Sequence, residues 1–443
     1  MKIRDVQLIN GIVFLCFDVL LFLAMGAHEI LYFYLMRFSI LIFFYTLTAC
    51  NTGESLKFAY TDIQFVDTPC THGGEPNLFC SADNEVYLSW IKYENDSTDI
   101  FQYSSLENQS WSAPKEIARG NDWFVNWADF PSLQSFADNG NNLAAHWLQK
   151  SAKGTYDYDV RISQSGDGGE TWRPSFVIHQ DGIEAEHGFV SMLPIEHKIF
   201  TTWLDGRYTK HEEGQGDSHR HQGSMTLRCA SFDKSGQISD EHELDDRVCD
   251  CCQTSVAKTD RGLIVAYRDR SQKEIRDISV VSQIDGDWSE PQTVYNDNWK
   301  IAGCPVNGPV VRAIDNVVCV VWHTASNAQP QVKLAFSYDS GLNFDLPIII
   351  DDNDPIGRVD LAMITKEKAI VSWLGQSKEK AIIYYRTVNA DKAKGEVQVL
   401  TETDASRTSG FPQMIKNDHG QLIFAWTAVQ GDSTLIRSAI VSE

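Results

Sequence analysis

Glu85-Val86-Tyr87-Leu88-Ser89-Trp90 is a short apolar run that ends on an aromatic residue, and Gln421-Leu422-Ile423-Phe424-Ala425-Trp426 repeats it near the far end of the 443-residue chain. Five more such runs lie between them, ending at Trp147, Trp203, Tyr267, Trp322 and Trp373, so that successive ends are 57, 56, 64, 55, 51 and 53 residues apart. A period of this size marks a supersecondary unit that buries its apolar face only against its neighbours. Each unit holds a weaker apolar run, a turn, the stronger run and a third run, bounded by Gly, Asn and Asp, and no long stretch after residue 50 keeps helical spacing. The expected fold is therefore all-β: a β-propeller of four-stranded blades, with seven blades favoured and six as the alternative. Arg407 to Val441 leaves room for only three strands, whereas Lys57 to Val66 is a strand without a unit. Paired, they close the ring and cover the edges that an open stack would expose.

Several units continue into a turn that carries Trp or Phe and then Pro, as in Trp111-Ser112-Ala113-Pro114 and Trp288-Ser289-Glu290-Pro291. Two turns are more specific: Ser165-Gly166-Asp167-Gly168-Gly169-Glu170-Thr171-Trp172 and Ser337-Tyr338-Asp339-Ser340-Gly341-Leu342-Asn343-Phe344. Asp can accept hydrogen bonds from its own turn, Gly takes positive φ, and the aromatic ring packs between blades. These turns resemble the Asp-box, or BNR repeat, of the sialidase superfamily, over roughly residues 60 to 443. The resemblance implies a glycan-directed pocket, and in sialidases six blades and a Tyr nucleophile activated by Glu. The Phe/Tyr-Arg-Ile-Pro motif that supplies the first Arg of a sialidase triad is missing here, and Tyr384 and Tyr385 fall in an outer strand.

The chain carries 60 acidic against 38 basic residues and a net charge of −22, a field opposed to a nucleic-acid partner. Two apolar stretches, Ile12 to Met25 and Phe38 to Thr46, precede Leu47-Thr48-Ala49-Cys50 and polar Asn51. This resembles a bacterial lipoprotein signal, with translation starting at Met36 and acyl chains on Cys50. The expected organisation is thus a leader over residues 1 to 50 and one propeller over 51 to 443, exported, anchored to the envelope membrane and monomeric. A membrane helix or hairpin over residues 8 to 49 is the alternative. In an oxidising compartment Cys70 and Cys80 are expected to pair, whereas Cys229 and Cys319, inside apolar runs, are expected to be buried thiols.

In a propeller the loops leading into each innermost strand and those leaving the second strand share one face around the central channel. Unusual polar residues gather in those loops. Leading in are Gly74-Glu75-Pro76, Asp129-Phe130-Pro131, Glu186-His187-Gly188, Cys249-Asp250-Cys251-Cys252-Gln253, Cys304-Pro305-Val306-Asn307, Gly357-Arg358-Val359-Asp360 and Arg407 to Phe411. Leading out are Asp205-Gly206-Arg207, Arg268-Asp269-Arg270 and His323-Thr324, with Glu274-Ile275-Arg276-Asp277 returning soon after. Forked guanidiniums suit an anionic sugar, and carboxyl groups supply acid and base for glycoside chemistry. Candidates for binding are Arg207, Arg268, Arg276, Arg358 and Arg407, with His187 and Asn307. Glu186, Asp205, Asp269, Glu274, Asp277 and Asp360 are candidates for acid or base. These Arg and Asp residues could instead pair and brace the loops. Asp167 and Asp339, at the opposite ends of the blades, are expected to be structural.

Cys249, Cys251, Cys252 and Cys304 are all expected at the channel mouth, as disulfides between blades or as a thiolate site for zinc or copper with His187 or His323 as a nitrogen ligand. The His- and Gly-rich segment from His211 to His221 reads as a solvated loop on that face. The leading functional expectation is a glycoside hydrolase of exo-sialidase type, or a related enzyme on acidic or decorated glycans. A non-catalytic propeller that binds glycan or protein, and a metal or redox protein built on the cysteines, are the alternatives.

Overall fold

The computed structural model describes residues 60 to 443, apart from 96, 211 to 222 and 378 to 379. The expected leader, the expected acylation site Cys50 and the His211 to His221 segment lie outside the described residues. Among the described residues no helix is long and apolar enough to cross a membrane, and the helical content is two single 3-10 turns.

Seven antiparallel sheets stand around one axis, so the ring has seven blades rather than six. The innermost strands are Gly73–Cys80, Ser132–Phe136, His187–Ile195, Ser255–Lys258, Val310–Ile314, Gly357–Thr365 and Gln413–Lys416. Within each blade the chain runs outward strand by strand. Blade 7 takes its three inner strands from Gln413 to Ser442 and its outermost strand from Asp62–Asp67, which pairs antiparallel with Ser433–Ser442. Ring closure by strands from both ends of the described chain is therefore as the sequence implies.

The apolar core is not central. It forms seven wedges, one at each blade-to-blade interface, as in the packing of Val317, Val321 and Phe336 of blade 5 on Leu361, Val371 and Trp373 of blade 6. The second strands are buried on both faces, which is why they read as continuous apolar runs: all eight residues of Val317–Thr324 are buried. Their terminal aromatics fill the wedges, and three reach an acid of the preceding blade. Tyr267 Oη donates to Asp245, Trp322 Nε1 to Asp297 at 2.7 Å and Trp373 Nε1 to Asp351 at 2.6 Å.

Both Asp-box turns lie between third and fourth strands, away from the channel mouth. Asp167 accepts from Thr171 N–H at 3.0 Å and from Thr171 Oγ1 at 2.6 Å, and Asp339 accepts from Asn343 N–H at 2.9 Å. These bonds hold the Asp167 carboxyl down at about 2. Their partners lie within their own turns, and Trp172 and Phe344 pack against the interblade wedges.

Cys70 and Cys80 do not pair. Cys80 ends the strand Gly73–Cys80 and Cys70 precedes its start. A strand of that length separates its ends by roughly 20 Å, far beyond the 7 Å that a disulfide tolerates between Cα atoms. Cys229 and Cys319 are buried, as their apolar runs imply.

Candidate functional site

Antiparallel order brings two sets of loops to one face: those that join a fourth strand to the next blade's first strand, and those leaving second strands. Behind this face the innermost strands surround a cavity of about 180 Å³. Its lining is rich in short hydroxyls and amides, among them Ser132, Ser191, Thr254, Gln134, Gln253 and Gln413. Its charged lining residues are Asp129, Asp360 and Arg312.

Asp129 stands just before the innermost strand of blade 2. Its Oδ1 accepts the Phe189 N–H at 2.8 Å, while its buried Oδ2 has no partner. Burial, reinforced by the charge of Glu186, pushes its carboxyl up to about 8. The neighbouring blades repeat the pattern. Glu75, leading into blade 1, accepts from Tyr93 Oη at 2.7 Å, and burial lifts it to about 7. Glu186, leading into blade 3, accepts from Tyr158 Oη at 2.9 Å, and burial with the charge of Asp250 lifts it to about 7. Three consecutive blades thus present carboxyl groups that burial raises into the neutral range, so that they titrate there rather than near 4.

The other predicted acids have different duties. Asp269 is lifted by burial, and by the nearby Asp245, to about 7. Asp277 accepts the N–H groups of Asn298 and Trp299 at 2.8 and 2.9 Å. Asp360 receives the N–H groups of Leu361 and Met414, with Arg312 at 3.4 Å. Glu274 pairs with Arg270 and Arg276. Asp205, fully buried, holds Arg207 through two bonds of 2.8 Å and the Trp203 indole through a third.

The predicted arginine grip is not formed. Arg268 donates to the carbonyl oxygens of Asn307, Arg276 and His323, and its guanidinium lies 4.9 Å from the Trp299 ring centre. Arg358 donates to Ser409 Oγ and to the carbonyls of Gly410 and Ser406, over Trp127. Arg276 donates to Cys249 Sγ and Glu274, and Arg207 is held by Asp205 and Asp181. Guanidiniums taken up by protein acceptors brace the loops and are not free to fork onto a ligand. Asn307 is likewise structural: its Oδ1 accepts the Arg358 N–H at 2.7 Å. Arg407 alone of the five is exposed, near Trp127.

His187 belongs to a cluster the sequence did not reveal as one. It stacks on His179 with ring centres 3.6 Å apart, and Asp181 accepts from both rings, at 2.9 Å from His187 and 3.4 Å from His179. Burial opposes it, but the two imidazoles hold the Asp181 carboxyl far below its usual range. Asp159, His179 and His187 bring three ligand atoms together, and so do Asp181, His187 and Asp205. Arg207 already lies between Asp181 and Asp205 and supplies the positive charge a cation would bring.

Of the four cysteines expected together, three meet. Cys249 Sγ lies 3.9 Å from Cys251 Sγ and 3.3 Å from Cys252 Sγ. Cys304 is exposed and outside the group. His187 is engaged with Asp181, and His323 faces the Pro355 carbonyl at 3.2 Å; neither joins the thiols.

A family model described as BNR repeat-like domain matches residues 93 to 423. No curated protein matches the sequence. Among solved structures, a protein of unknown function from Dyadobacter fermentans is similar at 13% identity, covering 86% of this chain and 98% of that one, with a TM-score of 0.48. An ulvan lyase, a polysaccharide lyase, is similar at 10% identity, covering 85% of this chain and 95% of that one, with a TM-score of 0.49. The Trypanosoma rangeli sialidase is similar at 10% identity, covering 74% and 56%, with a TM-score of 0.44.

Proposed function

Because the chain belongs to the BNR repeat-like domain family, whose propellers are those of the sialidase superfamily, we propose that it is a glycan-processing enzyme working at the mouth of the central channel. The observation that carries this reading is the set of three carboxyls, Glu75, Asp129 and Glu186, kept near neutrality by burial at three successive blades. A carboxyl that stays protonated at pH 7 can deliver a proton to a leaving oxygen, and a neighbour of lower pKa can take one up. Asp129 lines the cavity, its buried Oδ2 without a protein partner, and serves as the acid; Glu186, bonded to Tyr158, is the second group. The hydroxyls and amides lining the cavity supply donors and acceptors for sugar hydroxyls. With four guanidiniums committed to the protein, recognition of an anionic substituent falls to Arg312 and Arg407.

The test is turnover of a panel of neutral, uronic and sialylated oligosaccharides by the full chain. Asp129→Asn is expected to lower kcat by about 10²- to 10⁴-fold while binding persists. If no member of the panel is bound or cleaved, the reading fails. Binding without turnover by the unaltered chain favours the non-catalytic glycan-binding alternative. We further propose export and anchoring through acyl chains on Cys50. Radiolabelled fatty acid should enter the protein and be lost in Cys50→Ala.

A further inference from the structure

The cysteine turn is built more tightly than three inert thiols require. Val248 N–H bonds the Met225 carbonyl of blade 3 and Cys249 N–H bonds the Arg268 carbonyl of blade 4, both at 3.0 Å, so the turn is pinned where the two blades meet. All three Sγ atoms lie within 4.8 Å of one another. Sulfurs bound at about 2.3 Å to one tetrahedral centre sit roughly 3.8 Å apart, comparable to the 3.9 and 3.3 Å found here.

The surroundings are charged in the complementary sense. Arg276 is buried and places Nη1 3.2 Å from Cys249 Sγ, with Nε unpartnered. Arg268, also buried, is hydrogen-bonded to neutral carbonyl oxygens. Arg276 pairs with Glu274 through Nη2 at 2.9 Å, which leaves Nη1 turned to Cys249. Three thiolates on a cation leave a net negative centre, and Arg276 would then donate to a coordinated sulfur as outer-shell partners do. Disulfide pairing within the trio would leave one thiol over, and Cys304 does not join it.

We propose that Cys249, Cys251 and Cys252 form a trithiolate site for one thiophilic d10 cation, zinc(II) or copper(I), with the partly exposed Cys251 on its open side. Soft sulfur donors select these ions over calcium or magnesium. None of the three cysteines is among the residues lining the cavity, so the site stands whatever glycan reading prevails.

Elemental analysis of the full chain, purified after growth with added zinc or added copper, should find one ion per chain; which ion is found identifies the cation. Cys249→Ser and Cys251→Ser should each lose it, Arg276→Gln should weaken binding by about 10- to 100-fold, and Cys304→Ser should keep it. Should the cysteine variants misfold, the unaltered chain gives the answer alone: stripped of metal, it should take up one equivalent of cadmium with a thiolate-to-metal absorption band and three fewer reactive thiols. The proposal is overturned by the absence of any stoichiometric ion or cadmium band, by an ion that survives in the Cys249→Ser/Cys251→Ser double variant, or by peptide mapping that finds Cys251 cross-linked to Cys252.

Discussion

At the scale of single residues, what matters at the channel mouth is which polar groups are already satisfied. Asp129 is the clearest exception, and its protonation couples to stability. Its carboxyl titrates near 4 in an unfolded chain and at about 8 in the fold. A raised folded value means that the folded state binds the proton more tightly. Its stabilising contribution is complete below pH 4 and is lost as pH climbs through 8, and Glu75 and Glu186 act in the same sense with a folded value near 7. Asp129→Asn keeps an acceptor for Phe189 and removes the titration. Thermal melts across pH 5 to 9 should show the variant gaining on the parent as pH rises; a constant difference would count against a protonated Asp129. Arg358 is the converse case. Arg358→Met should cost roughly 2–4 kcal/mol in denaturant unfolding, because the Gly410 and Ser406 carbonyls lose their donor. Glycan affinity per folded molecule should stay unchanged, as befits a brace.

Among the elements, the second strands are the most legible and the most informative. Their apolar runs and aromatic ends could be read directly because burial on both faces leaves no polar alternation. The same strands yield a differential prediction. Trp373→Phe strands Asp351 without its indole donor and should cost about 1–3 kcal/mol, whereas Trp147→Phe, whose Nε1 has no partner, should cost less. Equal losses in urea titrations would show that ring volume, not the interblade hydrogen bond, decides. The Asp-box turns were legible too, since their chemistry is local to eight residues. The site was legible only as a face. His179 and Asp181 escaped notice because they open the loop from Val177 to His187, of which only the end, Glu186-His187-Gly188, was considered. Arg268 and Arg358 were misjudged because sequence shows a guanidinium but not the carbonyls folded around it. Cys70 and Cys80 were paired by closeness in sequence, which an extended strand turns into distance.

For the whole molecule, the distribution of the core into seven wedges means that each blade leans on two neighbours and the ring is as strong as its seam. At that seam Asp62–Asp67 covers the edge of Ser433–Ser442, with Trp111 Nε1 reaching Ser438 Oγ at 2.8 Å from blade 1. Removing Asp62–Asp67 should bare that edge. Light scattering and size exclusion should then report more association than the intact chain shows. A truncated ring that stays monomeric and melts as the parent does would show that the seam carries no special burden.

The same seam imposes an order in time. Asp67 and its partner Arg437 are 370 residues apart in the chain. Ribosomes add about 5–20 residues each second, so the earliest strand waits on the order of 20–75 s for the strand that will receive it. During that interval blades 1 to 6 can assemble one on another as they emerge, whereas the opening strand has nothing to pair with. The nascent ring is thus an open arc with two raw edges until Ser433–Ser442 arrives to receive Asp62–Asp67.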